Sequence, residues 1–180
     1  MALAPMSGVT IEPYCDGWPA VFRAVKAEIL LVFAPNAPAI EHIGGTSVTG
    51  LAAKPVIDVM LGVAEFKDVE EKISALSQIG YNYIPKYEKE LPMRRYFVKS
   101  ALGALRVHLH SVEVNGRLWQ EHLKFRDTLR ADPKLAAEYQ ALKFGLAHEF
   151  AMDKSAYTAA KAPFIQAILS RASICELGAN

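Results

Sequence analysis

The stretch KPVIDVMLGV, Lys54 to Val63, is a near-continuous apolar run broken by one carboxylate, Asp58. A run that is apolar at both odd and even positions, and rich in β-branched residues, suits a central strand covered on both faces. A chain that builds such a strand must supply a packing layer on each side of the sheet. Side chains alternate along a strand, so Val56, Asp58 and Met60 share one face while Ile57, Val59 and Leu61 take the other. An ionised carboxylate in that setting is costly unless it meets a cation, a metal ion or several hydrogen-bond donors. Asp58 is therefore either a structural acid, bonded to a nearby turn or paired with Lys54 or Arg95, or the centre of a site.

The segment before it bears on that choice. AIEHI predicts a strand that runs into Gly44-Gly45-Thr46-Ser47. Adjacent glycines let the backbone turn with positive φ and let a ligand approach bare N–H groups. Thr46 and Ser47 add hydroxyls. A short helical turn over 47–51 would aim further N–H groups at the same place, which makes a local anion site. The arrangement is not a P-loop, because Lys54 comes four positions after Gly50 rather than directly after a glycine, and no GxSxG elbow is present. A tight turn joining strand to helix is the alternative.

The rest of the chain divides into an alternating first part and a helical last third. VTIEPY predicts a short strand, and Asp16 can cap a helix from Gly17 to about Phe33. Phe66 to Gln78 has helical spacing, and Gly80 ends it. YNYIPK, RRYFVKS and LRVHLHSVE predict three more strands. Helices follow over 117–129, 133–150 and 154–172, with Asp132-Pro133 and Asp153 at the breaks. The expected fold is α+β, a mixed sheet of about five strands with flanking helices and a C-terminal helical layer. With 180 residues, 52% of them hydrophobic, and no linker or repeat, one domain over 1–180 is expected.

Charge and cysteine content narrow the function classes. Twenty basic and nineteen acidic residues leave a net charge of +1, so no broad field draws the protein to nucleic acid or membrane, and phosphate recognition must be local. Neither a DNA-binding motif nor a membrane span is expected. Cys15 and Cys175 stand far apart without CxxC spacing, as free thiols do in a reducing compartment. A cytoplasmic location is the expectation.

Further residues carry candidate chemistry. His108 and His110 are two apart in a strand and share a face, so with Asp58 they can form a metal site of the kind that suits zinc, manganese or iron better than magnesium. Polar groups bonded to backbone are the alternative for both. His42 ranks below the pair. Arg94 and Arg95 lie on opposite faces of one strand, so at most one faces a site; Lys54 and Arg106 can also neutralise phosphate. Arg126 with Arg130, and Tyr139 with Lys143, are spaced as solvated helix-face pairs. Trp18, Trp119, Phe125 and Phe144 are expected in the core.

A glycine-rich turn after one strand and an acid in the next resembles the nucleotidyltransferase superfamily that includes DNA polymerase beta. IEHIGGTSVTGLAAKPVIDVML, with RVHLHSV, FRDTLR and YQALKFGLA, more specifically resembles the GrpB family of uncharacterised bacterial proteins. That resemblance implies a nucleotidyltransferase-like fold. It assigns Gly44 and Gly45, with Thr46 or Ser47, to a triphosphate; Lys54 and Arg95 are added phosphate-binding candidates by their charge alone. The resemblance assigns Asp58 to the first carboxylate of an Asp-x-Asp/Glu metal-binding pair. The second place of that pair is Met60, whose thioether is a poor ligand for magnesium. His108 and His110 are the candidate substitutes. The expected function is binding of a nucleotide or another phosphorylated small molecule with a divalent cation (Mg, Mn or Zn), and metal-dependent nucleotidyl transfer catalysed at Asp58. The alternatives are a non-catalytic binding or folding-assistance module, a role the resemblance supports because GrpB-like domains occur fused to dephospho-coenzyme A kinase, and a metal-dependent phosphate-ester hydrolase.

Overall fold

The computed structural model describes residues 8–101 and 104–177, with side chains as far as Arg171. Its centre is a five-stranded mixed sheet: β1 (Ala39–Ile43), β2 (Val56–Val63), β3 (Tyr81–Tyr83), β4 (Arg95–Lys99) and β5 (Arg106–Glu113), in spatial order β1-β2-β5-β4-β3. The Asp58 strand, β2, is interior as its apolar run requires. It pairs antiparallel with β1 and parallel with β5, opposing Asp58 to Ile43 on one side and to His108 on the other. β4 runs antiparallel to β5 and sets Tyr96 against His110.

Alternation along β2 separates two layers. Ile57, Val59 and Leu61 join Val107, Leu109 and Phe97 in a core closed by α1 (Trp18–Phe33), α2 (Phe66–Glu70) and α3 (Ile73–Gln78), from which Val25, Ile29, Val69 and Leu76 pack inward. The opposite face, with Asp58 and Met60, is covered only in part. There Ile43, Met60 and Val112 meet Trp119 of α4 (Arg117–Ala131), and α5 (Pro133–Glu149), α6 (Lys154–Ala160) and α7 (Ala162–Leu177) complete the C-terminal helical layer. Asp132 caps α5 by accepting from Lys134 and Leu135 N–H, and Asp153 caps α6 through Ala156 N–H. Among the described residues no helix is long and apolar enough to cross a membrane.

Local expectations fail at six places. Val9 to Tyr14 is not a strand; it makes one bridge, Glu12 with Ala53, and Val9 N–H turns to Ala151 O. α1 begins after Gly17 without a side-chain cap from Asp16, because Pro19 offers no N–H and the next two N–H groups go to Gly17 O. The 66–78 segment divides at Glu71-Lys72 into two short helices, and the last predicted helix divides at Lys161. The turn expected over 47–51 is instead a 3₁₀ turn at Gly45–Ser47. Phe144, expected in the core, is exposed. Cys15 is an exposed free thiol, and the Cys175 side chain lies outside the described residues.

Candidate functional site

Sequence places Asp58, His108 and His110 at matching parity, and the parallel β2–β5 register brings them together. Asp58 Oδ1 lies 3.3 Å from His108 Nδ1 and 3.5 Å from His110 Nε2. Burial alone would raise the Asp58 pKa, but hydrogen bonds from the two imidazoles outweigh it and hold the carboxyl well below the usual carboxylate range. Burial lowers the His110 pKa more than the neighbouring Asp58 raises it. An ionised carboxylate thus faces a neutral imidazole, and both histidines supply N–H donors to one oxygen.

Gly44 makes room for that carboxylate. Its φ of 72° with ψ of −177° is a region that glycine alone occupies comfortably, and a Cβ added there would overlap Asp58 Oδ2. The two hydroxyls expected to face a ligand are spent inside the loop. Thr46 is buried, donates to Val56 O at 3.0 Å and meets His42 Nε2 at 3.0 Å; Ser47 donates to Gly44 O at 2.6 Å. Two arginines from α4 brace the same loop, Arg126 on His42 O and Arg130 on Ser47 O. Arg126 also pairs with Glu41 and Asp127, so it is a buried structural cation rather than a solvated one.

Gly44 and Gly45 open with Asp58, His108, Val56 and Lys54 onto a cavity of about 270 Å³, whose other wall is helical. That wall supplies Tyr139 and Lys143 from α5, Lys154, Tyr157 and Thr158 from α6, and Lys161 at the α6–α7 joint. Lys143 is buried, donates to Ala52 O and lies 4.9 Å from the Tyr139 ring centre. Burial, helped by the nearby Lys161 charge, pushes its pKa down to about 7. Burial also lowers Lys161 and Lys54, in each case against the attraction of Asp58. Several desolvated amines thus gather around one cavity, a local basic lining in a chain of near-neutral net charge.

Not every expected residue arrives. Arg95 is turned to the opposite side of the sheet, where it pairs with Glu70 at 2.7 Å and lies over the Phe66 ring. The cause is parity: its neighbour in the register is Ser111, whereas Tyr96 opposes His110. Arg94, just before the strand, is the one on the site side, 3.4 Å from His110 Nδ1. His42 stacks on Phe22 of α1 at 4.6 Å, away from Asp58. Arg106 is exposed and bonds Ser100. The lysines of α5–α7 were missed as site residues; the only sequence signal was the Tyr139/Lys143 spacing, which solvated helix faces share.

Asp58, His108 and His110 can each offer one ligand atom within 4.8 Å of the others, the donor set of a candidate divalent-metal site. Asp58 suits that role as it stands, and each histidine does once the proton leaves its nitrogen facing the carboxylate. The second place of the Asp-x-Asp/Glu pair does not: Met60 is fully buried among Ile43, Val112 and Trp119.

A five-stranded mixed sheet with a glycine turn facing an interior-strand aspartate is the frame of a nucleotidyltransferase-like fold, and solved structures agree. The Cid1 poly(U) polymerase with MgGTP bound superposes with a TM-score of 0.53 at 15% identity, over 77% of this chain and 44% of that one, which shows the fold. A conserved GrpB protein from Enterococcus faecalis superposes at 0.81 with 32% identity, covering 91% and 96% of the two chains. The model of the family described as GrpB protein matches residues 8–171, and the chain belongs to that family. The glutamate-rich protein GrpB of Alkalihalophilus pseudofirmus is 31% identical over 166 residues, covering 90% of this chain and 94% of its own. A dephospho-CoA kinase of Mycolicibacterium paratuberculosis is 25% identical over 194 residues, with 96% of this chain matching 47% of the kinase.

Proposed function

We propose that this protein binds a nucleotide or another phosphorylated small molecule in the cavity between the Gly44-Gly45 turn and the α5–α7 lysines. The observation that carries the reading is the meeting of Lys54, Lys143, Lys154 and Lys161 with Gly44, Gly45, Asp58 and His108 around one opening. Phosphate oxygens offer Lys143 the counter-charge that Ala52 O cannot, so ligand binding favours its ammonium form. Exposed amide at Gly44 and Gly45 adds donors where a side chain would block approach. A divalent cation, Mg, Mn or Zn, belongs to the reading, held by Asp58 and His108, and by His110 once its lone pair is free; bound there, it would supply charge neutralisation of the phosphates. Asp58 is the residue through which nucleotidyl transfer would run, and a cytoplasmic setting suits such a ligand.

A second reading, binding without transfer, is favoured by Met60, since among the described residues Asp58 alone brings a carboxylate to the cavity. Calorimetry with nucleoside triphosphates in the presence of Mg²⁺, Mn²⁺ or Zn²⁺ tests both. Binding should weaken by about tenfold or more in Lys161→Met and in Asp58→Ala, as loss of one charge-assisted contact implies. Unchanged affinity in both variants would remove the assignment, and pyrophosphate release separates transfer from binding alone.

A further inference from the structure

We propose that Arg94 keeps Asp58, His108 and His110 in a hydrogen-bonded arrangement that a metal ion cannot enter through His110, by fixing the imidazole proton on Nε2. His110 becomes a third ligand only when Arg94 is withdrawn. This concerns the metal part of the site and does not depend on phosphate binding.

Arg94 Nη1 lies 3.4 Å from His110 Nδ1, and a guanidinium has five N–H groups and no lone pair. The ring nitrogen facing it must accept. An imidazole whose Nδ1 accepts carries its proton on Nε2, and that nitrogen lies 3.5 Å from Asp58 Oδ1, which as a carboxylate can only accept. Both ends of the ring therefore select one tautomer.

A metal ion demands the other. A ligating histidine gives its lone pair to the ion and donates its remaining N–H to a carboxylate, carbonyl or water. With an ion on Nε2, the proton of His110 sits on Nδ1 and meets Arg94, donor against donor, beside a full positive charge. Arg94 has little to draw it elsewhere. Among the described residues it has no carboxylate partner, and its other side-chain contact is the Tyr96 ring, 4.9 Å from the guanidinium carbon. Tyr96 in turn packs against His110 and His108 at 5.1 and 5.6 Å, so the three side chains hold one another. With Arg94 in place, Asp58 and His108 remain as two ligands, fewer than zinc sites use.

The tautomer can be read directly from long-range ¹⁵N–¹H correlation spectra of the native, metal-free protein near neutral pH. His110 should show protonated Nε2 and bare Nδ1; a proton on Nδ1 overturns the proposal and needs no variant to be seen. Zinc calorimetry is the second arm. Arg94→Met should bind Zn²⁺ at least about tenfold more tightly than the native protein, the scale on which partners of ligating histidines act. His110→Ala in that background should abolish the gain. Arg95→Met removes an equal charge one residue away, on the face of the sheet turned from Asp58, and should change zinc affinity by less than about threefold. No gain in Arg94→Met, or an equal gain in Arg95→Met, refutes the role of Arg94. Triphosphate binding is read on Lys161→Met, so the two readings fail separately.

Discussion

Asp58 and Met60 sit two residues apart on one face of β2, yet they occupy opposite worlds. Asp58 opens onto the lysine-walled cavity and accepts from two imidazoles, whereas Met60 is sealed by Ile43, Val112 and Trp119. The strand itself does not make the difference. After β5 the chain turns at Asn115, with φ of 61°, and Gly116, and α4 returns Trp119 across the sheet. Gly62, next on the same face, admits that ring: a Cβ there would meet Trp119 Cζ3 at 2.8 Å. Each end of the face therefore has its glycine, Gly44 making room for a carboxylate and Gly62 for an indole. The position where the wider superfamily carries a second metal-binding acid is apolar interior in this chain.

Met60→Asp attacks the sealed end. A carboxylate placed in that cluster is walled by Ile43, Val112 and Trp119, and its neighbours across the register are already engaged, His110 with Asp58 and Glu41 with Arg126, so unfolding in urea should show a loss of about 3–5 kcal/mol. Met60→Leu, which keeps volume and polarity, should cost less than about 1.5 kcal/mol. An aspartate tolerated there would mean that α4 lifts from the sheet and that the sealed end is part of the site after all.

Gly44→Ala attacks the open end. The added methyl competes with Asp58 Oδ2 for one space, and the positive φ strains any side chain, so a stability loss of about 2–3 kcal/mol is expected. Unlike Met60→Asp, it should also shift the His108 and His110 ring resonances, because both donate to the displaced carboxylate. Ring spectra identical to the native ones would show that Asp58 does not depend on the glycine.

The contrast between the two ends was only half legible in the sequence. Alternation in KPVIDVMLGV and RVHLHSVE put Asp58, His108 and His110 on faces that the parallel register could align, and Asp58 interrupted its row visibly. The glycine pair marked a turn. What periodicity could not reveal was which helix covers which part of the face, since that is set by tertiary packing of α4–α7. Lys143 therefore looked like a surface charge, Lys161 carried no signal, and the Thr46 and Ser47 hydroxyls looked free when both are spent on Val56 O and Gly44 O. Arg94 and Arg95 were known to diverge, but choosing between them needed the β4–β5 register.

Lys143→Met acts on the cavity wall, with a smaller effect of the opposite sign. The folded-state pKa of about 7 lies below the unfolded value, so the unfolded chain binds the extra proton between about pH 7 and 10.5 and native stability rises with pH across that window. Below pH 7 the cost of the buried ammonium is fully present. The variant loses the bond to Ala52 O, which offsets part of the gain, and should be more stable than native by about 1–2 kcal/mol at pH 6. Urea unfolding should show the advantage shrinking as pH rises above 7, while triphosphate affinity falls. A pH-independent difference would mean that Lys143 keeps an ordinary pKa, and the cavity would then be wetter than its lining implies.

Arg95→Met should have the smallest effect and tests the face assignment itself. Its guanidinium pairs with a partly exposed Glu70 and donates to Pro92 O on the side of the sheet away from Asp58. An ion pair of that kind contributes less than about 1 kcal/mol, and methionine retains much of the contact with Phe66, so unfolding should change little. Triphosphate and zinc affinities should match the native protein. Since Arg94 and Arg95 are adjacent, equal charge removal one residue apart isolates direction from charge: a change in zinc affinity in Arg94→Met with none in Arg95→Met follows only if the strand splits the pair between the two faces.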